Sequence, residues 1–134
     1  MRAAEINRLG ITVDQHNDTV HHGGVNGALC LYSLERILAL QAEGHPIFPG
    51  SIGENITISG LDWGQVLPGT RWRLGHSVLI EISDYATPCS KIRESFANEE
   101  FNRVHNRKHP GWARAYARVL APGTITIGDE VAKL

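Results

Sequence analysis

The stretch Tyr85–Ile92, YATPCSKI, holds the side chain with the most chemical potential, the thiol of Cys89. Cys89 follows a proline, stands among small and polar residues, and has Lys91 two places on. Pro88 disfavours helix at Thr87, and Ser90 can cap a helix that begins just afterwards. A helix N-terminus there would favour a thiolate through its dipole and free amides, with Lys91 and Arg93 adding positive charge. Such a sulfur can serve as nucleophile, sulfur carrier or ligand to a soft metal. The alternative is a small residue filling a loop. Cys30, in GALCLYSL, is the contrast: it lies within an apolar run and reads as packing.

Two further stretches carry polar groups at suggestive spacing. In FPGSIGENITISG (48–60), Pro49–Gly50 and Gly53 keep side chains out of the way, so backbone amides can reach an anion. Glu54 then offers a general base and Asn55 a hydrogen-bonding clamp, unless both simply end a loop. In VDQHNDTVHHGG (13–24), Asp14, His16 and Asp18 alternate, so a strand would place all three on one face as a metal site requires. The same spacing suits a solvated loop, and no distant ligand set completes it. Gly23–Gly24, after His21 and His22, signals a turn or a close approach of the backbone to a ligand. Neither a Walker-type nor a dinucleotide-binding glycine pattern occurs.

The elements that must position these groups are short. Proline–glycine pairs at 49–50, 68–69, 110–111 and 122–123 mark turns. Between them NITIS (55–59), TRWRL (70–74), SVLIEIS (77–83), YARVL (116–120) and TITI (124–127) read as strands. In YARVL, Tyr116, Arg118 and Leu120 share one face, and Ala117 and Val119 the other. PGTRWRLGHSV (68–78) and PGTITIGDEV (122–131) look like one β-hairpin device used twice. A helix capped by Ser33 should turn Leu34, Ile37, Leu38 and Gln41 to one side and stop at Gly44–Pro46. A second helical stretch, or two short turns, should start at Ser90. The expected fold is mainly β, a barrel or sandwich with one or two short α-helices packed on it.

Composition narrows the function classes. With 134 residues the chain suits one domain, 1–134. Its net charge of −1 and pI of about 6.6 give no long-range field for nucleic acid or an anionic membrane. No apolar run reaches a membrane-spanning length, and the charged N-terminus does not read as a signal peptide, so the expected compartment is cytoplasmic. Two cysteines are too few for a disulfide framework and lack paired zinc spacing.

HHGGVNGALCLYSLE (21–35), FPGSIGENITISG (48–60), PCSKI (88–92) and ARVLAPGTITIGDEV (117–131) occur in the order found in the MOSC domain, the molybdenum cofactor sulfurase C-terminal domain. The chain resembles that family over roughly residues 8 to 134, most closely its small stand-alone bacterial members. The resemblance implies a MOSC-type β-barrel whose pocket takes a molybdopterin-type molybdenum cofactor or a related small anionic ligand. It maps the hallmark cysteine of the PC motif to Cys89, as molybdenum ligand or sulfur carrier. It maps the GEN motif to Gly53, Glu54 and Asn55, and the His-Gly-Gly motif to His22, Gly23 and Gly24. Lys91 and Arg93, with Arg71 or Arg118, are the basic groups suited to the ligand's phosphate. As part of an oxidoreductase the chain would need a redox partner, because no flavin, haem or iron–sulfur motif is present. As a sulfur carrier it would need a desulfurase partner. Pyridoxal phosphate enters only by family association, as the cofactor of the separate sulfurase enzyme.

Overall fold

The protein is described from a computed structural model that covers residues 3–8, 10–11 and 24–134. The secondary structure is mainly β. The described strands are β1 (Ala3–Asn7), β2 (Gly10–Ile11), β3 (Leu29–Ser33), β4 (Ile56–Ile58), β5 (Arg71–Leu74), β6 (Val78–Tyr85), β7 (Ala115–Ala121), β8 (Gly123–Thr126) and β9 (Val131–Lys133). One α-helix, α1 (Leu34–Ala42), accompanies them with several 3-10 turns. The chain divides into two compact units. The first comprises Met1–Leu29, Val66–Asp84 and Tyr116–Leu134, and the second Cys30–Gln65 and Tyr85–Ala115.

In the first unit the strands run β7-β6-β5-β9 in one sheet and β2-β1-β8 in another. Alternation of side chains sets the register. Trp72 pairs with Ile80 and Leu74 with Val78, all four buried, while Arg71 meets Glu81 on the other face. In β7, Ala117 and Val119 are buried while Arg118 and Leu120 face outward, as the pattern of YARVL predicts. Gly10, at φ 120, is fixed as glycine, because a Cβ there would run into the carbonyl oxygen of Ala28.

Two expectations need correction here. PGTRWRLGHSV does form a hairpin, β5 to β6. PGTITIGDEV does not: β8 pairs with β1, and β9 pairs with β5. The Asp129 carboxylate accepts from the Thr126 N–H at 2.8 Å, closing a turn that separates the two strands. The pair 122–123, expected to mark a turn, instead leads straight into a strand, since Gly123 is the first residue of β8 and lies close to Ser77 and Val78.

The second unit is built on parallel pairing of β3 with β4, in the register Leu31↔Ile56, Tyr32↔Thr57 and Ser33↔Ile58. β3 is buried at every residue, as a parallel strand covered on both faces must be. Ser33 ends the strand and caps α1, its hydroxyl accepting from the Arg36 N–H at 3.1 Å. The helix buries Ile37 and Leu40, whereas Leu38 is 52% exposed, so its apolar face is narrower than expected. It stops at Gly44, whose φ is 99.

The segment after Cys89 is a succession of 3-10 turns, Ser90–Ser95, Ala97–Glu99 and Phe101–Val104, instead of a helix. Phe96 adopts extended geometry and buries its ring against His45, with centroids 5.3 Å apart. Asn98 and Glu99 then have φ of 55 and 58, which no α-helix accommodates. Among the described residues no helix is long and apolar enough to cross a membrane.

Candidate functional site

The GEN loop is welded to the centre of the second unit by Asn55. The Asn55 N–H donates to the Cys30 carbonyl at 2.9 Å, and the Cys30 N–H donates to Asn55 Oδ1, also at 2.9 Å. These two bonds extend the β3–β4 ladder by one step, with an asparagine side chain replacing the carbonyl a strand would supply. The oxygen must face Cys30 because only it can accept, so the side-chain amide of Asn55 keeps its donors for another partner.

Beside Asn55, the chain folds its charged groups inward. Gly53 is exposed at φ 85, while Glu54 is only 5% exposed. Thr57 Oγ1 lies 3.4 Å from Glu54 Oε2, and Oε1 is buried with no hydrogen-bond partner. Burial pushes the Glu54 carboxyl above its ordinary range, against hydrogen bonds from the backbone at Gly50, Glu54 and Ile52 and the charge of Arg114. Arg114, just before β7, is 6% exposed, and its NH1 donates to the Ile52 carbonyl at 2.7 Å. Its Nε is buried without a partner. Burial likewise pushes the Cys30 thiol up to about 11, in spite of the neighbouring Arg114 charge.

These environments give two expected results. Native protein treated with a thiol alkylating agent at about pH 8 should take its adduct at the exposed Cys89, while Cys30 reacts only after denaturation. Equal labelling of both thiols in the native state, read by peptide mass spectrometry, would contradict the assignment. Glu54 makes the folded state hold a proton more tightly than the unfolded chain does. Its contribution is fully present below the ordinary value of 4.5 and is lost as pH rises through the higher folded value. Glu54→Gln should therefore flatten the decline in thermal stability as pH rises above the ordinary carboxylate value of 4.5. An equal slope in both proteins would count against a buried Glu54.

Cys89 stands at the start of the first 3-10 turn with extended backbone, φ −137, and an exposed side chain. The turn spans only Ser90–Ser95, so the α-helix terminus expected to favour a thiolate is not formed, because Phe96 leaves the helical path to reach the core. What the structure provides is a tether at each end of the Cys89 segment. Before it, the Ala86 N–H donates to the Arg114 carbonyl at 2.9 Å. After it, Ser95 Oγ lies 3.3 Å from the Ser51 carbonyl in the GEN loop. His45 Nδ1 accepts from the Ala97 N–H at 3.1 Å, and Glu43 holds Arg103 through bonds of 2.9 and 2.8 Å, which fixes the later turns.

The structure thus brings the PC and GEN motifs to one framework through Ser51, Ile52, Ser95 and Arg114. Lys91 is exposed on the Cys89 segment. Arg93 bonds to the Ser90 carbonyl at 3.0 Å and lies 3.6 Å from Glu99. Arg71 and Arg118 both turn to Glu81 in the first unit, at 3.0 and 2.8 Å, which makes them poor phosphate anchors. Gly24 opens a 3-10 turn, Gly24–Gly27, while His22, Gly23 and the Asp14, His16, Asp18 set lie outside the described residues. Among the described residues no group of three His, Cys, Asp or Glu side chains could hold a metal ion. Arg114 was not singled out by the sequence; its signal, an arginine entering a strand of small and apolar residues, is common on protein surfaces.

The family model described as the MOSC domain matches residues 18–132. The chain belongs to the MOSC domain family. The Bacillus subtilis protein named "Uncharacterized protein YflK" is 31% identical over 119 residues, covering 88% of this chain and 52% of that protein. A Gibberella moniliformis protein named "Reductase" is 29% identical over 130 residues, covering 93% of this chain and 22% of that one. Among solved structures, YiiM from Geobacillus stearothermophilus superposes with a TM-score of 0.68 at 28% identity, covering 84% of this chain and 56% of that one. This MOSC domain therefore spans about half the length, or less, of the curated relatives it matches.

The residues present fit the cofactor associated with MOSC domains. A single accessible cysteine sulfur suits a metal whose remaining ligands come with the cofactor itself. Around exposed Gly50 a Cβ would meet nothing within 4 Å, leaving room at the backbone for an anion. The side-chain amide donors of Asn55 add polar capacity at the same loop.

Proposed function

We propose that this MOSC domain binds a molybdenum cofactor, with the Cys89 thiolate as its protein ligand to the metal, as part of an oxidoreductase system. The observation that carries the reading is that exposed Cys89 lies on a segment tied at both ends to the GEN framework. When bound, the cofactor supplies the redox centre. The chain's own residues hold and orient it: Cys89 anchors the metal, the Asn55 amide donates to a cofactor acceptor, and Lys91 offers charge to the phosphate. His22, Gly23 and Gly24 are candidates for the same ligand by their motif. The similarity to a protein named "Reductase" agrees with this direction, and electrons would come from a redox partner protein. Protein purified from a host that makes the cofactor should contain molybdenum near one atom per folded chain; folded protein free of molybdenum would contradict the reading.

A second reading follows from the exposure of Cys89. As a sulfur carrier, its thiolate would attack the terminal sulfur of a donor persulfide, forming a new S–S bond as the donor leaves as a thiolate. A pyridoxal phosphate-dependent desulfurase would be the donor. Mass spectrometry after incubation with such an enzyme should find one added sulfur on Cys89. The same gain in Cys89→Ser would overturn it.

A further inference from the structure

Four consecutive carbonyls lead up to the buried guanidinium described above, and each is held by a different group. The Gly111 carbonyl accepts from Arg36 Nε at 3.0 Å, that of Trp112 from the Tyr32 hydroxyl at 2.7 Å, and that of Ala113 from Trp63 Nε1 at 2.9 Å. The fourth, that of Arg114, accepts from the Ala86 N–H at 2.9 Å, three residues before Cys89. Arg36 and Arg103 also lie over the Trp112 ring, 4.6 and 4.1 Å from its centroid. With every carbonyl from Gly111 to Arg114 paired, the segment is a rail of fixed position.

We infer that Arg114 is a positioning residue, delivered by this rail to set the Gly50–Asn55 loop relative to the Cys89 segment. Its side chain clamps the loop at the Ile52 carbonyl, and its backbone clamps the strand that leads to Cys89. The guanidinium lies beneath exposed Gly53, where a built Cβ would stand 3.9 Å from NH1. Its charge also acts on the buried Cys30 thiol, whose backbone N–H donates to Asn55 Oδ1. Burying a guanidinium is costly, and a neutral side chain would fill the same space more cheaply. A donor that clamps the loop carbonyl while its charge offsets the buried Glu54 carboxyl gives the guanidinium a use a neutral side chain would lack. The ligand this geometry serves is the one proposed above, and to that extent the inference rests on the cofactor reading.

The test has a readout that needs no cofactor. In a Cys89→Ser background, Cys30 is the sole thiol, and its alkylation rate under native conditions reports loosening of the buried region where Asn55 is bonded to it. Arg114→Lys keeps the charge and loses the fork; it should raise that rate on the order of tenfold while the melting temperature stays close to that of the parent. With Cys89 intact, the same substitution should lower molybdenum per chain severalfold. An unchanged alkylation rate, or a rise that only tracks the globally unfolded fraction, would overturn the positioning role. Molybdenum at the wild-type level in Arg114→Lys would sever the link to the ligand. If Arg114→Lys fails to fold, Arg114→Met/Glu54→Gln removes both buried charges together and is read in the same way. Wild-type protein without molybdenum would contradict the cofactor reading alone, since the Cys30 rates still decide the role of Arg114.

Discussion

Asn55→Asp is expected to fold with near wild-type stability yet lose the ligand, whereas Asn55→Ala loses both. The reasoning separates two ends of one side chain. Asn55 Oδ1 accepts from the Cys30 N–H, and Cys30 is buried. Alanine leaves that amide without an acceptor, at a cost of about 1–3 kcal/mol. Aspartate retains an oxygen there but puts a second oxygen, and a negative charge, where asparagine has its NH2 donors. A ligand that presents acceptors or phosphate to that position is then repelled. Denaturant melts should place Asn55→Ala below the wild type and Asn55→Asp close to it, with molybdenum content low in both. Normal molybdenum in a well-folded Asn55→Asp would remove Asn55 from the ligand site.

Cys89→Ser should show the opposite balance: a large functional loss at almost no structural cost. Its side chain is exposed, and the Cys89 contact that orders the following turn is made by its carbonyl, which accepts from the Ile92 N–H at 3.1 Å. Surface substitutions of this kind usually change stability by no more than about 0.5 kcal/mol. A serine hydroxyl is a hard, protonated donor at neutral pH and a poor ligand to molybdenum compared with a thiolate. Molybdenum content should fall severalfold while thermal melts coincide. Should the melts diverge by several degrees, Cys89 would have to be read as a packing residue.

Much of this arrangement was legible in the sequence because it depends on local pattern. Alternating SVLIEIS and YARVL announce strands, Ser33 and Gly44 bracket the helix, and the apolar run around Cys30 marks burial. The order of the HGG, GEN and PC motifs led to the MOSC family, which the family comparison bears out. What could not be read depends on groups far apart in the chain. Nothing local says that β8 pairs with the distant β1 and β9 with β5, so that the two strands do not form a hairpin. Helical spacing after Ser90 loses to the gain from burying Phe96 against His45. Arg114 acquires its meaning only from Ile52, sixty-two residues away, and from Ala86. Asn55 was expected as a ligand clamp, and its second task as acceptor for Cys30 follows from register alone.

The central claim is that the Cys89 sulfur holds the metal, and X-ray absorption at the molybdenum edge tests it most directly. Wild-type protein and Cys89→Ser, loaded in the same host, would be compared in the sulfur shell around molybdenum. The shell should lose one sulfur scatterer in Cys89→Ser, in whatever fraction of that protein retains the metal. An identical sulfur shell in the two proteins would contradict ligation by Cys89.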